Sequence, residues 1–126
     1  RDGRDSLQFF PAKKNGELIG TAVKTSSPRG YAGDIILIVG FDKAGNILNI
    51  QVLQHTETPG LGSKMTMPSF IDQFIGVNPG TTPLRVKKDG GKVDAISGAT
   101  ITSRAFSEAV QLAYDTFISE KNGKQN

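Results

Sequence analysis

Asp34 to Phe41 is the most strand-prone stretch of the chain, almost entirely branched or aromatic, and Asp42-Lys43-Ala44-Gly45-Asn46 supplies a turn after it. In the following segment, Ile47 to Gln54, Leu48, Ile50 and Val52 alternate with Asn49 and Gln51. That is the period-two pattern of a half-buried strand, and it predicts Leu48, Ile50 and Val52 on one face. Upstream, Leu7 to Ala12 and Glu17 to Thr25 read as extended segments joined around Asn15-Gly16, a dipeptide that accepts the positive φ of a tight hairpin. Strands in this order predict an antiparallel meander.

The pattern changes after the loop Thr58-Pro59-Gly60-Leu61-Gly62. Pro68 to Ile75 predicts a short helix, with Phe70 and Phe74, and Ile71 and Ile75, paired four apart and Asn78-Pro79-Gly80 as its stop. Leu84 to Lys88 and Lys92 to Ile96 predict a further hairpin around Asp89-Gly90-Gly91. From about Ala99 to Lys121 the spacing is helical, and Phe106, Ala109, Val110, Ala113 and Phe117 make one apolar stripe that Asn122-Gly123 would cap. The expected fold class is α+β. A single domain over residues 1–126 would pack an antiparallel sheet and hairpins with a long C-terminal helix and a short middle helix.

Composition narrows the chemistry. The 126 residues include no cysteine and one histidine, His55, which excludes a disulfide scaffold, a thiol nucleophile, an iron–sulfur centre and any zinc site built from cysteines or several histidines. No metal is expected, and redox chemistry would need a bound cofactor. The formal charge is +3 with no tryptophan, which lacks the basic and aromatic footprint of a nucleic-acid binder. No apolar run approaches the roughly eighteen residues of a membrane helix. The chain begins at Arg1, so an anchor or leader upstream would be compatible with it.

Two segments concentrate polar chemistry. Asp94-Ala95-Ile96-Ser97-Gly98-Ala99-Thr100-Ile101-Thr102-Ser103 runs through small residues into the predicted helix, whose first amides lack intrahelical acceptors. Gly98 and Ala99 would let an anion approach the backbone, with the hydroxyls of Ser97, Thr100, Thr102 and Ser103 around it. Plain helix capping is the alternative. Neither a Walker loop nor a Rossmann fingerprint is present. His55-Thr56-Glu57-Thr58-Pro59-Gly60-Leu61-Gly62 gathers an imidazole, a carboxylate, hydroxyls and permissive backbone at the end of a strand, or is simply a tight turn. Gly30-Tyr31-Ala32-Gly33 places an aromatic between glycines just before the central strand.

Taken together, Asp94-Ala95-Ile96-Ser97-Gly98-Ala99-Thr100 resembles the flavinylation motif of the FMN-binding domain family, and His55 to Gly62 resembles that family's upstream His-x-Glu-Thr-Pro-Gly-Leu-Gly loop. Within the family the resemblance is nearest to the G subunits of Rnf electron-transport complexes and the C subunits of sodium-translocating NADH:quinone reductases, the compactness of the domain favouring the former. The resemblance implies FMN joined through a phosphoester to the Thr100 hydroxyl by a flavin transferase that reads Asp94. It further implies a flavin ring lined by Glu57, Thr58, Gly60, Leu61 and Gly62, with Tyr31 also approaching it. Lys64 would pair with the phosphate or the reduced ring, or be a solvated lysine, and His55 would have a supporting part. Ala32 stands where the family more usually has glycine, and its methyl would forbid a strongly positive φ and alter the approach of Tyr31.

By that resemblance the chain would be an electron-relay subunit of a membrane-bound ion-translocating oxidoreductase. It would be anchored in the bacterial inner membrane by one helix upstream of Arg1, lie on the periplasmic side and have the other subunits as partners. Rival readings are a domain of a flavin reductase or fumarate-reductase-like enzyme, and a phosphate- or nucleotide-binding module without redox work. Arg85, Lys87, Lys88 and Lys92 could dock an acidic partner or be a solvated face.

Overall fold

The computed structural model describes the backbone of residues 8–14 and 17–124 and the side chains of residues 20–119. Strands β1 (Gln8–Lys14), β2 (Glu17–Ser27), β3 (Ile35–Asp42) and β4 (Ile47–Gln54) form one sheet in the order β1-β2-β3-β4. Every neighbouring pair is antiparallel, the expected meander. Leu7 and the Asn15-Gly16 turn lie outside the described residues.

The central strand is apolar at nearly every position, and the sheet sorts its side chains by face. Ile35, Leu37, Val39 and Phe41 are buried, while Ile36 and Ile38 lie partly exposed on the other face. β4 departs from its sequence period. Phe41 pairs with Ile47 and Gly40 with Asn49, so Leu48 is an extra residue in the ladder, and a second shift leaves Leu53 over between Val52 and Gln54. Each bulge reverses the faces of the strand beyond it. The buried residues are therefore Ile47 and Ile50, with Val52 partly buried, and Leu48, expected inside, is 39% exposed.

Helix α2 (Thr100–Lys124) lies across β2 and β3. All five residues of the expected stripe, Phe106, Ala109, Val110, Ala113 and Phe117, are buried against the sheet. Phe117 stacks on Phe41 with ring centroids 5.1 Å apart. Full burial of a phenylalanine or valine contributes about 1.5–3 kcal/mol, so this stripe is the main bond between the layers. A buried hydroxyl adds direction to it, since Thr25 Oγ1 donates to the Ala109 carbonyl at 2.9 Å. The helix continues through Asn122-Gly123 to Lys124 instead of stopping there. A glycine costs a helix about 1 kcal/mol relative to alanine, too little to stop one already seated on a sheet.

The short helix α1 (Pro68–Ile71) tightens into a 3₁₀ turn at Asp72–Phe74. Phe70 and Phe74 plug the end of the core against Phe106, with centroids 5.0 and 5.1 Å from its ring. The tighter turn rotates Ile75 outward, leaving it 41% exposed instead of sharing a face with the half-buried Ile71. Gly76, at φ 82°, ends the element before Asn78-Pro79-Gly80 is reached.

The hairpin expected around Asp89-Gly90-Gly91 is not a ladder. Its only pairing among the described residues is a single parallel bridge between Val86 and Val93. Two amides cross between its arms, Lys87 N–H to the Val93 carbonyl (2.9 Å) and Val93 N–H to the Arg85 carbonyl (3.0 Å), while Asp89 and Gly91 N–H both turn back to the Val86 carbonyl. Only Leu84, Val86, Val93 and Ile96 of this stretch are buried, so no alternating face holds strands together. No helix among the described residues is long and apolar enough to cross a membrane.

Candidate functional site

The loop after β4 is folded by its own polar groups. Glu57 N–H donates to His55 Nδ1 at 3.0 Å, which leaves the ring proton of a neutral His55 on Nε2. The Thr58 carbonyl accepts from the N–H groups of Leu61 (3.1 Å) and Ser63 (3.2 Å), and Gly60 takes φ 79° to close the turn. A 3₁₀ turn at Gly62–Thr66 then buries Met65, while Leu61 remains 43% exposed on the opposite side.

Glu57 is 4% exposed, and both of its oxygens accept hydrogen bonds. Its carboxylate receives the Tyr31 amide at 2.8 Å, the Ala32 amide at 2.7 Å and the Thr102 hydroxyl. One side chain thereby joins the β2–β3 loop, the loop after β4 and the first turn of α2. Burial would raise its pKa, but the hydrogen bonds from Thr102, Ala32 and Tyr31, with His55 nearby, outweigh it and hold the carboxyl below its ordinary value. Gly62 makes the junction possible: a Cβ there would sit 2.7 Å from Thr102 Oγ1 and 2.8 Å from Glu57 Cβ.

At the start of α2, Gly98 adopts φ 77°, and an added Cβ would lie 3.3 Å from Leu61 Cδ2. Ala99 N–H donates to the Ile96 carbonyl (2.9 Å), and Ser103 N–H to the Ala99 carbonyl (3.0 Å). Ser103 Oγ accepts from Ile96 N–H and donates to the Ala99 carbonyl, both at 2.9 Å. Ser103 therefore caps none of the free amides of the helix: it is buried within the first turn and ties that turn back to the segment before it. Thr102 likewise commits its hydroxyl to Glu57. Thr100 differs: it is half-exposed and its hydroxyl has no partner among the described residues.

A cleft of about 520 Å³ opens over this junction, within the usual range for a small-molecule site. Gly62, Gly98, Ala99 and Thr100 line it. Tyr31, Thr58, Leu61, Ile101 and Thr102 complete the walls. Of the residues expected around a ligand, Glu57 and Ser103 are therefore behind the wall, and Gly60 lies outside the cleft. Ser97 and Lys64 line a neighbouring depression of about 270 Å³ with Asp94 and Gln73. Lys64 and Thr100 therefore line different depressions. Asp94 is exposed, its carboxylate 2.7 Å from Lys87 Nζ.

The positive φ of the β2–β3 loop falls on Gly33 (138°), so Ala32 carries no backbone strain and its amide serves Glu57. Sequence reasoning missed Ile101, an exposed apolar residue on the cleft edge whose position after a motif threonine was a usable signal. A wider groove of about 680 Å³ lies on the other side of Ile101, but its Arg29 and Arg104 are already paired with Glu108 (3.0 Å) and Asp89 (2.8 Å). The smaller cleft joins the Thr100 hydroxyl, unpartnered among the described residues, to the first helix amides and to exposed apolar walls. Those features suit a flat ring carrying an anionic arm.

A family model described as an FMN-binding domain matches residues 30–115. The chain is 41% identical over 112 residues to the G subunit of the ion-translocating oxidoreductase complex of Shewanella piezotolerans, covering 85% of this chain and 53% of that protein. It is 46% identical over 104 residues to the protein of the same name from Haemophilus influenzae, covering 78% and 50%. The chain thus spans about half the length of these curated relatives. Among solved structures, NqrC of Shewanella oneidensis superposes with a TM-score of 0.73 at 25% identity, covering 91% of this chain and 60% of that one. The C subunit of the Na(+)-translocating NADH-quinone reductase of Parabacteroides distasonis has the same fold, with a TM-score of 0.69 at 24% identity over 94% of this chain and 66% of its own.

Proposed function

The chain belongs to the FMN-binding domain family, and on that premise we propose that it carries FMN esterified through its phosphate to Thr100 Oγ1. It then serves as an electron-relay domain of a membrane-bound ion-translocating oxidoreductase of the Rnf type, facing the periplasm from an inner-membrane anchor and exchanging electrons with the other subunits. The observation that carries this reading is the Thr100 hydroxyl, unpartnered among the described residues, in a helix-start cleft lined by Tyr31, Leu61 and Ile101. The names and extents of the curated relatives support the complex.

When bound, FMN supplies the electron-transfer chemistry that a cysteine-free chain cannot. The protein's share is to hold and shield. The first amides of α2 and the helix dipole favour the phosphate where Thr100 would tether it. Gly98, in the left-handed region, removes the side chain that would crowd the tether. Leu61, Tyr31 and Ile101 supply apolar surface for the ring, and Thr58 and Gly62 offer polar groups at its edge. Asp94, the first residue of the motif, is exposed at the surface in its pair with Lys87, where the flavin transferase would reach it.

Coexpression with a flavin transferase tests the assignment. Intact mass should rise by FMN less water, and denatured protein should keep its flavin fluorescence. Thr100→Ala should lose both; covalent flavin on the alanine variant would sink the proposal.

A further inference from the structure

Between Val93 and Ala99 the chain belongs to neither sheet nor helix, yet this stretch leads directly to Thr100. Val93 and Ile96 are buried and pin it at two points, while Asp94, Ala95, Ser97 and Gly98 are exposed. Its backbone is held by side chains. Asp94 N–H donates to Gln73 Oε1 at 2.8 Å, and Gln73 Nε2 donates back to the Asp94 carbonyl at 3.1 Å. A carboxamide that engages both polar groups of one residue reproduces the two-bond pairing of an antiparallel neighbour, supplied here by a single residue.

Gln73 is itself well fixed. It sits in the 3₁₀ turn Asp72–Phe74, whose Phe74 is 1% exposed and packs on Phe106 of α2. Through that contact Gln73 is referenced to the helix that begins at Thr100. Asp94 lies at the surface, where water could satisfy its amide and carbonyl. The clamp therefore adds little to stability and much to geometry.

We infer that Gln73 is a positioning residue for flavin transfer onto Thr100, holding the Asp94 backbone so that its exposed carboxylate and the acceptor hydroxyl meet the transferase at a set separation. The inference rests on the Thr100 ester reading. In the transfer, Thr100 Oγ1 attacks the FMN phosphorus of a flavin dinucleotide such as FAD. The new P–O bond forms as the diphosphate bridge breaks, AMP departs with the bridging oxygen and its electron pair, and the hydroxyl proton passes to a base of the transferase. No oxidant or reductant is consumed.

The test uses the whole chain in its flavin-free form with purified transferase and FAD, following covalent fluorescence after denaturation across acceptor concentrations. Gln73→Leu should lower kcat/KM for flavinylation roughly ten- to a hundredfold, the scale of a misplaced reacting group. Its thermal midpoint should stay near that of wild type, which a merely structural role would not allow. Gln73→Glu has the same length, retains an acceptor for Asp94 N–H and loses the donor, so it should fall between the two and guards against a folding defect in the leucine variant. Wild-type kinetics for Gln73→Leu, or a rate loss that only follows a fallen midpoint in both variants, overturns the inference alone. Absence of covalent flavin on wild type, or equal labelling of Thr100→Ala, overturns the Thr100 reading and this inference with it.

Discussion

Replacing Glu57 by glutamine asks whether one buried carboxylate holds the walls of the cleft together. In the native arrangement Oε1 accepts from Tyr31 N–H and Thr102 Oγ1, and Oε2 from Ala32 N–H. A carboxamide offers one acceptor and one donor. With its oxygen in the place of Oε1, its nitrogen meets the Ala32 amide donor to donor, and an unpartnered buried N–H costs about 1–3 kcal/mol. The other two bonds lose their charge, falling from about 1.5–3 to about 0.5–1.5 kcal/mol each. Together the loss is about 4 kcal/mol, which for a chain of this size lowers the thermal midpoint by roughly 10–15 °C.

The pH dependence gives the same experiment a second reading. Although burial acts to raise it, the Glu57 pKa is held below its ordinary 4.5 by the bonds it accepts. A carboxyl whose pKa falls on folding contributes stability that is complete above its unfolded value and is lost as pH falls through its folded value. Calorimetric melts of Glu57→Gln and wild type should therefore differ fully at neutral pH and converge as the pH drops below 4.5. A neutral-pH difference under about 3 °C, less than 1 kcal/mol here, would refute the clamp, as would a difference indifferent to acid.

Gly62→Ala should destabilise by about 1–3 kcal/mol in urea titration, because its methyl would enter the 2.7 Å space beside Thr102 Oγ1 and push that hydroxyl off Glu57. An unchanged midpoint would mean the junction is looser than described. Phe106→Ala removes the ring on which Phe70 and Phe74 both pack and should cost about 3–5 kcal/mol by the same measurement. A loss near that of a surface substitution would place the core elsewhere.

Periodicity made much of this fold legible. The five-residue stripe of α2 is buried as its spacing demands, and β3, apolar at nearly every position, is the central strand its composition suggested. β4 escapes its own period at Leu48 because a bulge is decided by the partner strand's register, which leaves no mark in the sequence of the strand itself. The stretch around Asp89-Gly90-Gly91 has the composition of a hairpin but lacks an apolar face to zip, so its arms meet only around Val86 and Val93. In the site, small residues and hydroxyls announced the helix start. Which hydroxyl stays free was not legible, since Ser103 and Thr102 are claimed by residues 4 and 45 positions away. Gln73 gave no local signal at all, its partner lying 21 positions along the chain.

The carboxylate shared by Tyr31, Ala32 and Thr102 has a consequence for speed as well as stability. Electron exchange is fastest where the surrounding atoms need shift least when charge arrives or leaves. Walls tied to a common anchor move as one body, so for a redox group seated between them the dipoles are already in place and little motion accompanies each transfer.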